Sequence, residues 1–332
     1  MTNADDLVAE AERLSGQLAE ARAMIARRFI GQPKVVDLSL TALLCGGHAL
    51  LVGVPGLGKT LLVETLGVVM GLDTRRVQFT PDLMPADILG SEVLETDAAG
   101  RRSFRFLPGP VFCQLLMADE INRASPRTQS ALLQAMQERQ VTVAGAHRPL
   151  GPPFHVLATQ NPIEQEGTYP LPEAQLDRFL VQVDLDYPDR ATERDILIAT
   201  TGAETAAIAP VFDAGGLMAA QALVRRMPVG ESVVAAVLDL VRAFRPEATE
   251  APEAVRASVV WGPGPRAAQA LMLAVRAAAL IDGRLVPSVS DVTALARPVL
   301  SHRMALGYAA RARGETLGAL IDGVASGLGA SV

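Results

Sequence analysis

The most specific chemistry in this chain sits in eight residues, Gly53-Val54-Pro55-Gly56-Leu57-Gly58-Lys59-Thr60, which fit GxxxxGK[ST] between a short apolar run and a helical stretch. Glycines at those positions let successive backbone N–H groups turn inward around phosphate oxygens, and the helix that follows offers its positive end. Lys59 supplies a point charge toward the β and γ phosphates, and the Thr60 hydroxyl is a ligand for Mg²⁺. The alternative is a plain Gly-rich turn, against which the full eight-residue context argues.

A triphosphate site needs a carboxylate-bearing strand beside that loop. Leu115-Leu116-Met117-Ala118-Asp119-Glu120 is an apolar run that ends in two acids. Asp119 would hold the magnesium through water, and Glu120 is the candidate general base that orients and deprotonates the attacking water. An ordinary strand ending in a solvated acidic pair is the other reading. Phe154-His155-Val156-Leu157-Ala158-Thr159 is a third buried strand running into Gln160-Asn161. The Asn161 carboxamide suits bonds to both water and γ-phosphate, although Asn161-Pro162 is also a common turn opener.

These motifs require a parallel sheet to align them. Apolar residues Leu7, Leu14, Leu18, Ala21 and Ile25 recur at helical spacing between Ala4 and Arg28, and Val35 to Leu44 reads as a second helix. Buried strands are expected at His48 to Gly53, Arg76 to Phe79, Leu115 to Asp119, Phe154 to Thr159 and Leu180 to Val183, alternating with helices. Two stretches interrupt that alternation as β-hairpins. One pairs Glu92–Leu94 with Phe104–Phe106 around Asp97-Ala98-Ala99-Gly100, beside a helix at Pro85–Leu89. The other flanks Ala144-Gly145, with Val141–Val143 opposite Arg148, after a helix capped by Ser125 with Pro126 in its first turn. Beyond Pro188 the pattern becomes helical at Arg190–Thr200, Leu217–Arg226, Ser232–Phe244, Pro265–Ile281 and Val289–Met304. The expected division is therefore an α/β core over residues 1–188 and an all-helical second domain over residues 189–332.

Composition narrows the function classes. At 332 residues with 49% hydrophobic and 20% charged, the chain excludes disorder and suggests more than one hydrophobic core. Aromatics are 4%, and 30 Lys plus Arg against 36 Asp plus Glu give net −6, which disfavours a nucleic-acid surface. Cys45 and Cys113 lie in apolar contexts without metal spacing, so buried free thiols and a cytoplasmic setting are expected. The four histidines, His48, His147, His155 and His302, are scattered singly and read as packing or surface groups. Neither a signal peptide nor a membrane span is expected.

The order of loop, acid-ended strand, asparagine and Leu176-Asp177-Arg178-Phe179 resembles AAA+ ATPases, and the wording is similar to the MoxR group. The residues carrying the closer match are Ile30-Gly31-Gln32, Gly47-His48, Gly53 through Leu61, Asp119-Glu120-Ile121-Asn122-Arg123-Ala124, Ala158-Thr159-Gln160-Asn161-Pro162 and Glu173 through Phe179. The resemblance implies an Mg²⁺-dependent ATPase that assembles as a homo-oligomeric ring, usually a hexamer. It makes Arg178 the finger that reaches a neighbour's nucleotide, with a salt-bridged helix-end arginine as the alternative. Arg266 matches the second sensor, although Gly262-Pro263-Gly264-Pro265-Arg266 stands where the group often has Ala-Ser-Pro-Arg. Ile30 and Gln32 match adenine-side contacts, Arg123 is a further interface candidate, and the hairpins become pore or partner loops. The resemblance also implies chaperone-like remodelling of a client protein with a von Willebrand factor A domain partner. A nucleotide-gated scaffold with slow hydrolysis is the alternative, and a DNA-linked motor is disfavoured by the charge balance.

Overall fold

The structure, a computed structural model, describes residues 4–96, 98, 100–163, 167–202 and 206–329. Its centre is a parallel sheet of β1 (Ala49–Val52), β2 (Thr74–Gln78), β5 (Leu115–Asp119), β8 (His155–Gln160) and β9 (Val181–Asp184) in the order β2-β5-β8-β1-β9. Between β2 and β5 lie β3 (Gly90–Thr96) and β4 (Arg102–Pro108), and between β5 and β8 lie β6 (Gln140–Val143) and β7 (Ala146–Pro149), each pair an antiparallel hairpin. Alternate residues of the central strands feed different faces: Leu51 and Met117 join one apolar cluster, and Leu50 and Leu116 the other. β2 is an edge strand in which only Val77 is buried, so the expected buried strand at Arg76–Phe79 is half exposed, with Phe79 buried just past its end.

The helices α1 (Ala4–Ala26), α2 (Pro33–Leu44) and α3 (Lys59–Val69) cover the first face, and α4 (Pro85–Leu89) and α5 (Pro126–Glu138) the second. In α1, Leu14, Leu18, Ala21 and Ile25 are fully buried, each such aliphatic side chain worth about 1.5–3 kcal/mol for Leu or Ile. The α5 helix starts as expected, with the Ser125 hydroxyl accepting from the Thr128 N–H and Pro126 in the first position. Both expected hairpins form, with Glu92 opposite Phe106 and Val141 opposite Arg148. Asp97 and Ala99, in the first hairpin's turn, lie outside the described residues. Ala144 and Gly145 both take positive φ, the two-residue turn whose twist suits a hairpin. Arg148 joins the two insertions, 3.4 Å from the Glu92 carboxylate and 3.8 Å from the centre of the Phe106 ring.

After α6 (Glu173–Leu176) and β9 comes α7 (Arg190–Thr201), capped by the Asp189 carboxylate at 2.8 Å from the Thr192 N–H. The remainder holds α8 (Ala214–Arg226), α9 (Glu231–Ala243), α10 (Glu253–Ser258), α11 (Pro265–Ile281), α12 (Val289–Leu300), α13 (Tyr308–Ala312) and α14 (Leu317–Gly329). It is not wholly helical. Strands β10 (Val259–Trp261) and β11 (Ala305–Leu306) form an antiparallel ribbon, too short to give a periodic signal. The helix expected through Met304 stops at Leu300, where the chain turns to bury His302 and Arg303. The apolar cluster on the α1 side runs without a break into α8, α9, α11, α12 and α14. Among the described residues no helix is long and apolar enough to cross a membrane.

Candidate active site

At the carboxyl ends of the strands, Gly53–Gly58 forms a loop between β1 and α3. Gly56 and Gly58 take φ of 86° and 75°, a region that costs any L side chain. No side chain caps α3, whose N-cap is Gly58, so its first backbone N–H groups face an anion site unopposed. The Lys59 ammonium bends back onto the carbonyls of Gly53 and Val54, the latter at 2.9 Å. Burial lowers its pKa, and the nearby Asp119 and Glu120 work in the opposite direction.

Asp119 and Glu120 stand beside this loop, and the strand register brings the asparagine in as well. The Gly53 N–H donates to the Gln160 carbonyl at 3.2 Å, which places Asn161 next to the loop. Asn161 is buried, and its carboxamide oxygen accepts from the Ile163 N–H at 3.2 Å. The turn-opener reading therefore holds for the oxygen, and the amide N–H groups are the part suited to a phosphate. Asp119 accepts from the Thr159 hydroxyl at 2.6 Å through one oxygen and from Arg76 at 2.6 and 3.2 Å through the other. Glu120 does not continue the strand edge; it turns out of it at φ 55°, a conformation uncommon outside glycine. Its backbone N–H donates to the Thr159 hydroxyl at 2.8 Å, and its carboxylate accepts from Gln78 at 2.8 Å and from Arg123 at 3.1 Å. Arg123 is thus a partner of Glu120 within its own chain rather than a plain surface arginine.

The sequence assigns no role to Thr159, Arg76 or Gln78. The pairing of Gln78 with Asp119 is a register fact, which no local pattern encodes. Of the expected adenine-side residues, Ile30 and Gln32 are half-buried on either side of Gly31, which itself lies close to Thr192 of α7, while the adjoining Phe29 approaches Gly58. Pro55 is exposed, and Leu57, Thr60 and Leu61 are half-buried. Thr60 and Asp119 supply a hydroxyl and a carboxylate, the hard oxygen donors Mg²⁺ takes, so the residues fit that ion.

Arg178 and Arg266 lie elsewhere. Strands β1 and β9 run parallel with Ala49 beside Val181, so Arg178 stands with Gly47 and His48 at the amino ends of the strands. Extended chain from Gly47 to Gly53 spans about 20 Å, farther than an arginine side chain reaches. Gly47, His48, Asp177, Arg178, Arg266 and Arg303 line one cleft there. Arg178 is not salt-bridged at a helix end: its buried Nε has no partner among the described residues, and burial and the charge of Arg266 lower its pKa. Arg266 is half exposed, 3.6 Å from the Asp177 carboxylate. Beneath the cleft the histidines are packed, as expected. His48 accepts from the Val156 N–H at 2.9 Å, and His155 meets the Gly47 carbonyl at 2.8 Å. Burial pushes their pKa values down to about 3 and about 4. Cys45 and Cys113 are buried free thiols, both pushed up to about 12 by burial.

The acid-ended β5 is not the direct neighbour of β1 that the sequence suggests, because β8 lies between them. A phosphate loop on a parallel sheet, an acid-ended strand one place removed, a polar residue at the end of the strand between them and a helical lid together define an AAA+ nucleotide-binding unit. The model of the ATPase family associated with various cellular activities matches residues 48–181, and that of the AAA lid domain matches residues 252–323. The chain is 41% identical over 309 residues to chaperone MoxR1 of Mycobacterium tuberculosis, covering 93% of this chain and 80% of that one. It is 40% identical to the uncharacterised protein YeaC of Bacillus subtilis over 95% of both, and 34% identical to protein MoxR of Paracoccus denitrificans over 91% and 93%. A solved structure of a protein assigned as an ATPase from Cytophaga hutchinsonii superposes with a TM-score of 0.88 at 36% identity, over 95% of each chain. The chain belongs to the MoxR group of AAA+ ATPases.

Proposed function

We propose that this chain hydrolyses ATP with Mg²⁺ in a homo-oligomeric ring, a hexamer by family habit, and uses the cycle to remodel a client protein together with a von Willebrand factor A domain partner. Residues 1–188 form the nucleotide-binding unit of that machine and residues 189–332 its lid. The Gly53–Leu61 loop holds the phosphates, Ile30 and Gln32 flank the adenine, and Thr60 and Asp119 hold the metal, which supplies charge neutralisation on the phosphates. Glu120 takes the proton of the attacking water, which requires its carboxylate to leave Gln78 and Arg123. Asn161 donates to the water and the γ-phosphate. Arg178, with Arg266 beside it, serves the nucleotide of the next subunit.

One observation carries this reading: the phosphate loop lies at the carboxyl end of the sheet and the two arginines at its amino end. A site that needs both draws them from two copies of the chain, and a guanidinium supplied in this way is typically worth about 10³–10⁵ in rate. Mixing tests it. Lys59→Ala and Arg178→Ala proteins should each be nearly inactive alone, and a mixture should regain phosphate release, because some interfaces then pair an intact loop with an intact arginine. A mixture no faster than its parts refutes the shared site. Remodelling, as opposed to a slow nucleotide-gated scaffold, predicts that a co-purifying partner stimulates steady-state phosphate release; a scaffold would show little stimulation.

A further inference from the structure

The cleft at the amino ends of the strands contains a buried cation with no part in the function proposed above. Arg303, in the segment matched by the lid model, is 2% exposed. A buried guanidinium has five N–H donors to satisfy, and here all its acceptors but the Val299 carbonyl lie on one short segment. Nε donates to the Asp177 carboxylate at 2.8 Å, one Nη to the Leu180 carbonyl at 3.0 Å and to the Val299 carbonyl, and the other Nη to the Phe179 carbonyl at 2.6 Å. The neighbouring His302, also buried, meets the same Phe179 carbonyl at 2.9 Å. Asp177, Phe179 and Leu180 are thus gripped from the lid side, and the residue they enclose, Arg178, is left without an ion-pair partner among the described residues. Asp177 is shared further with Arg266 at 3.6 Å, so Arg303 and Arg266 rest on the same carboxylate.

We infer that His302 and Arg303 form a positioning clamp, which fixes the backbone on both sides of Arg178 and makes the aim of that guanidinium follow the lid of its own subunit. The chemistry favours this over simple packing. An apolar residue would fill the space without the cost of desolvating a charge, and that cost is recovered only when each donor meets a well-placed acceptor. Apart from the Val299 carbonyl of α12 itself, the acceptors are the Asp177 carboxylate and the carbonyls of Phe179 and Leu180 around Arg178, so displacement of α12 and the turn after it is passed to the segment that carries Arg178. Arg303 and His302 touch no substrate; they act through Arg178.

This inference rests on the reading of Arg178 as the residue that serves the neighbouring site, and a double-mutant cycle separates the two. Arg303→Lys keeps the charge but not the fork, and Asp177→Asn keeps the shape but not the ion pair. Each should lower kcat about 10- to 100-fold, the cost of misplacing a reacting group by roughly 1 Å, with ATP affinity within twofold of the unaltered protein. In an Arg178→Ala background Arg303→Lys should produce no further loss, since the group it aims is gone; Asp177→Asn, which also frees Arg266, is read only beside intact Arg178. Independent, multiplying losses would overturn the clamp, as would native turnover in folded Arg303→Lys protein. If both variants lose their cooperative thermal transition, the pair is a determinant of the fold and the inference falls. If Arg178→Ala alone keeps native turnover, the underlying reading fails instead.

Discussion

The two ends of the central strands are built differently. At the carboxyl ends, the Lys59 ammonium rests on loop carbonyls, and the carboxylates of Asp119 and Glu120 take exposed or partly exposed side chains, Arg76, Gln78 and Arg123, with the Thr159 hydroxyl as the one buried side-chain partner of Asp119 among the described residues. At the amino ends, His48, His155, His302 and Arg303 are buried and tied mostly to backbone. Pairs of the first kind contribute little and exchange readily, which suits groups that must change partners when a phosphate arrives. Bonds of the second kind are costly to break, which suits a platform that must hold its shape while serving a site elsewhere.

The sharpest way to break this comparison is to compare what each end does to binding and to rate. Arg178→Ala should lower kcat by about 10³ or more while leaving nucleotide affinity within twofold, whereas Lys59→Ala should abolish ATP uptake measured by calorimetry. If Arg178→Ala weakens binding as strongly as Lys59→Ala, the ends are not separate in function. Glu120→Gln should retain ATP and turn over at least about a hundredfold slower, because a positioned base contributes roughly 10²–10⁴; unchanged phosphate release would remove Glu120 from that role.

Smaller effects test the platform. His48 and His155 titrate at about 3 and about 4 in the fold, below the ordinary 6.5. The unfolded chain therefore binds more protons between pH 6.5 and 4, and stability should fall as pH drops through that window, by up to about 1.4 kcal/mol per pH unit for each histidine. Denaturant midpoints across that range check it, and His155→Gln should flatten the slope. Gly58→Ala, which places a side chain at φ 75°, should cost about 1–2 kcal/mol and lower the thermal midpoint. Smallest is Arg226→Ala. It removes the exposed contact with Glu10 at 3.0 Å and should cost under about 1 kcal/mol by the same denaturation.

Much of the first end was legible from residue order. A loop of fixed spacing, an apolar run closed by two acids and a strand followed by Asn161 are local patterns, and the fold gathers all three at the carboxyl ends of the strands. The roles of Arg76, Gln78 and Thr159 were not legible, because they depend on which strands are neighbours and in what register. Arg303 was hidden for a different reason. It follows a long helical period in Val289–Leu300, and its partners lie more than a hundred residues earlier at Asp177–Leu180. The ribbon of β10 and β11 escaped because strands of 3 and 2 residues carry no periodicity.

That ribbon also gives the molecule a built-in optical probe. Trp261 is the chain's one tryptophan, half-buried on β10 and paired with Ala305, two positions past Arg303. Excitation of its indole reports from a single place, so emission from unlabelled protein, with and without nucleotide, tests whether the surroundings of the gripping pair rearrange.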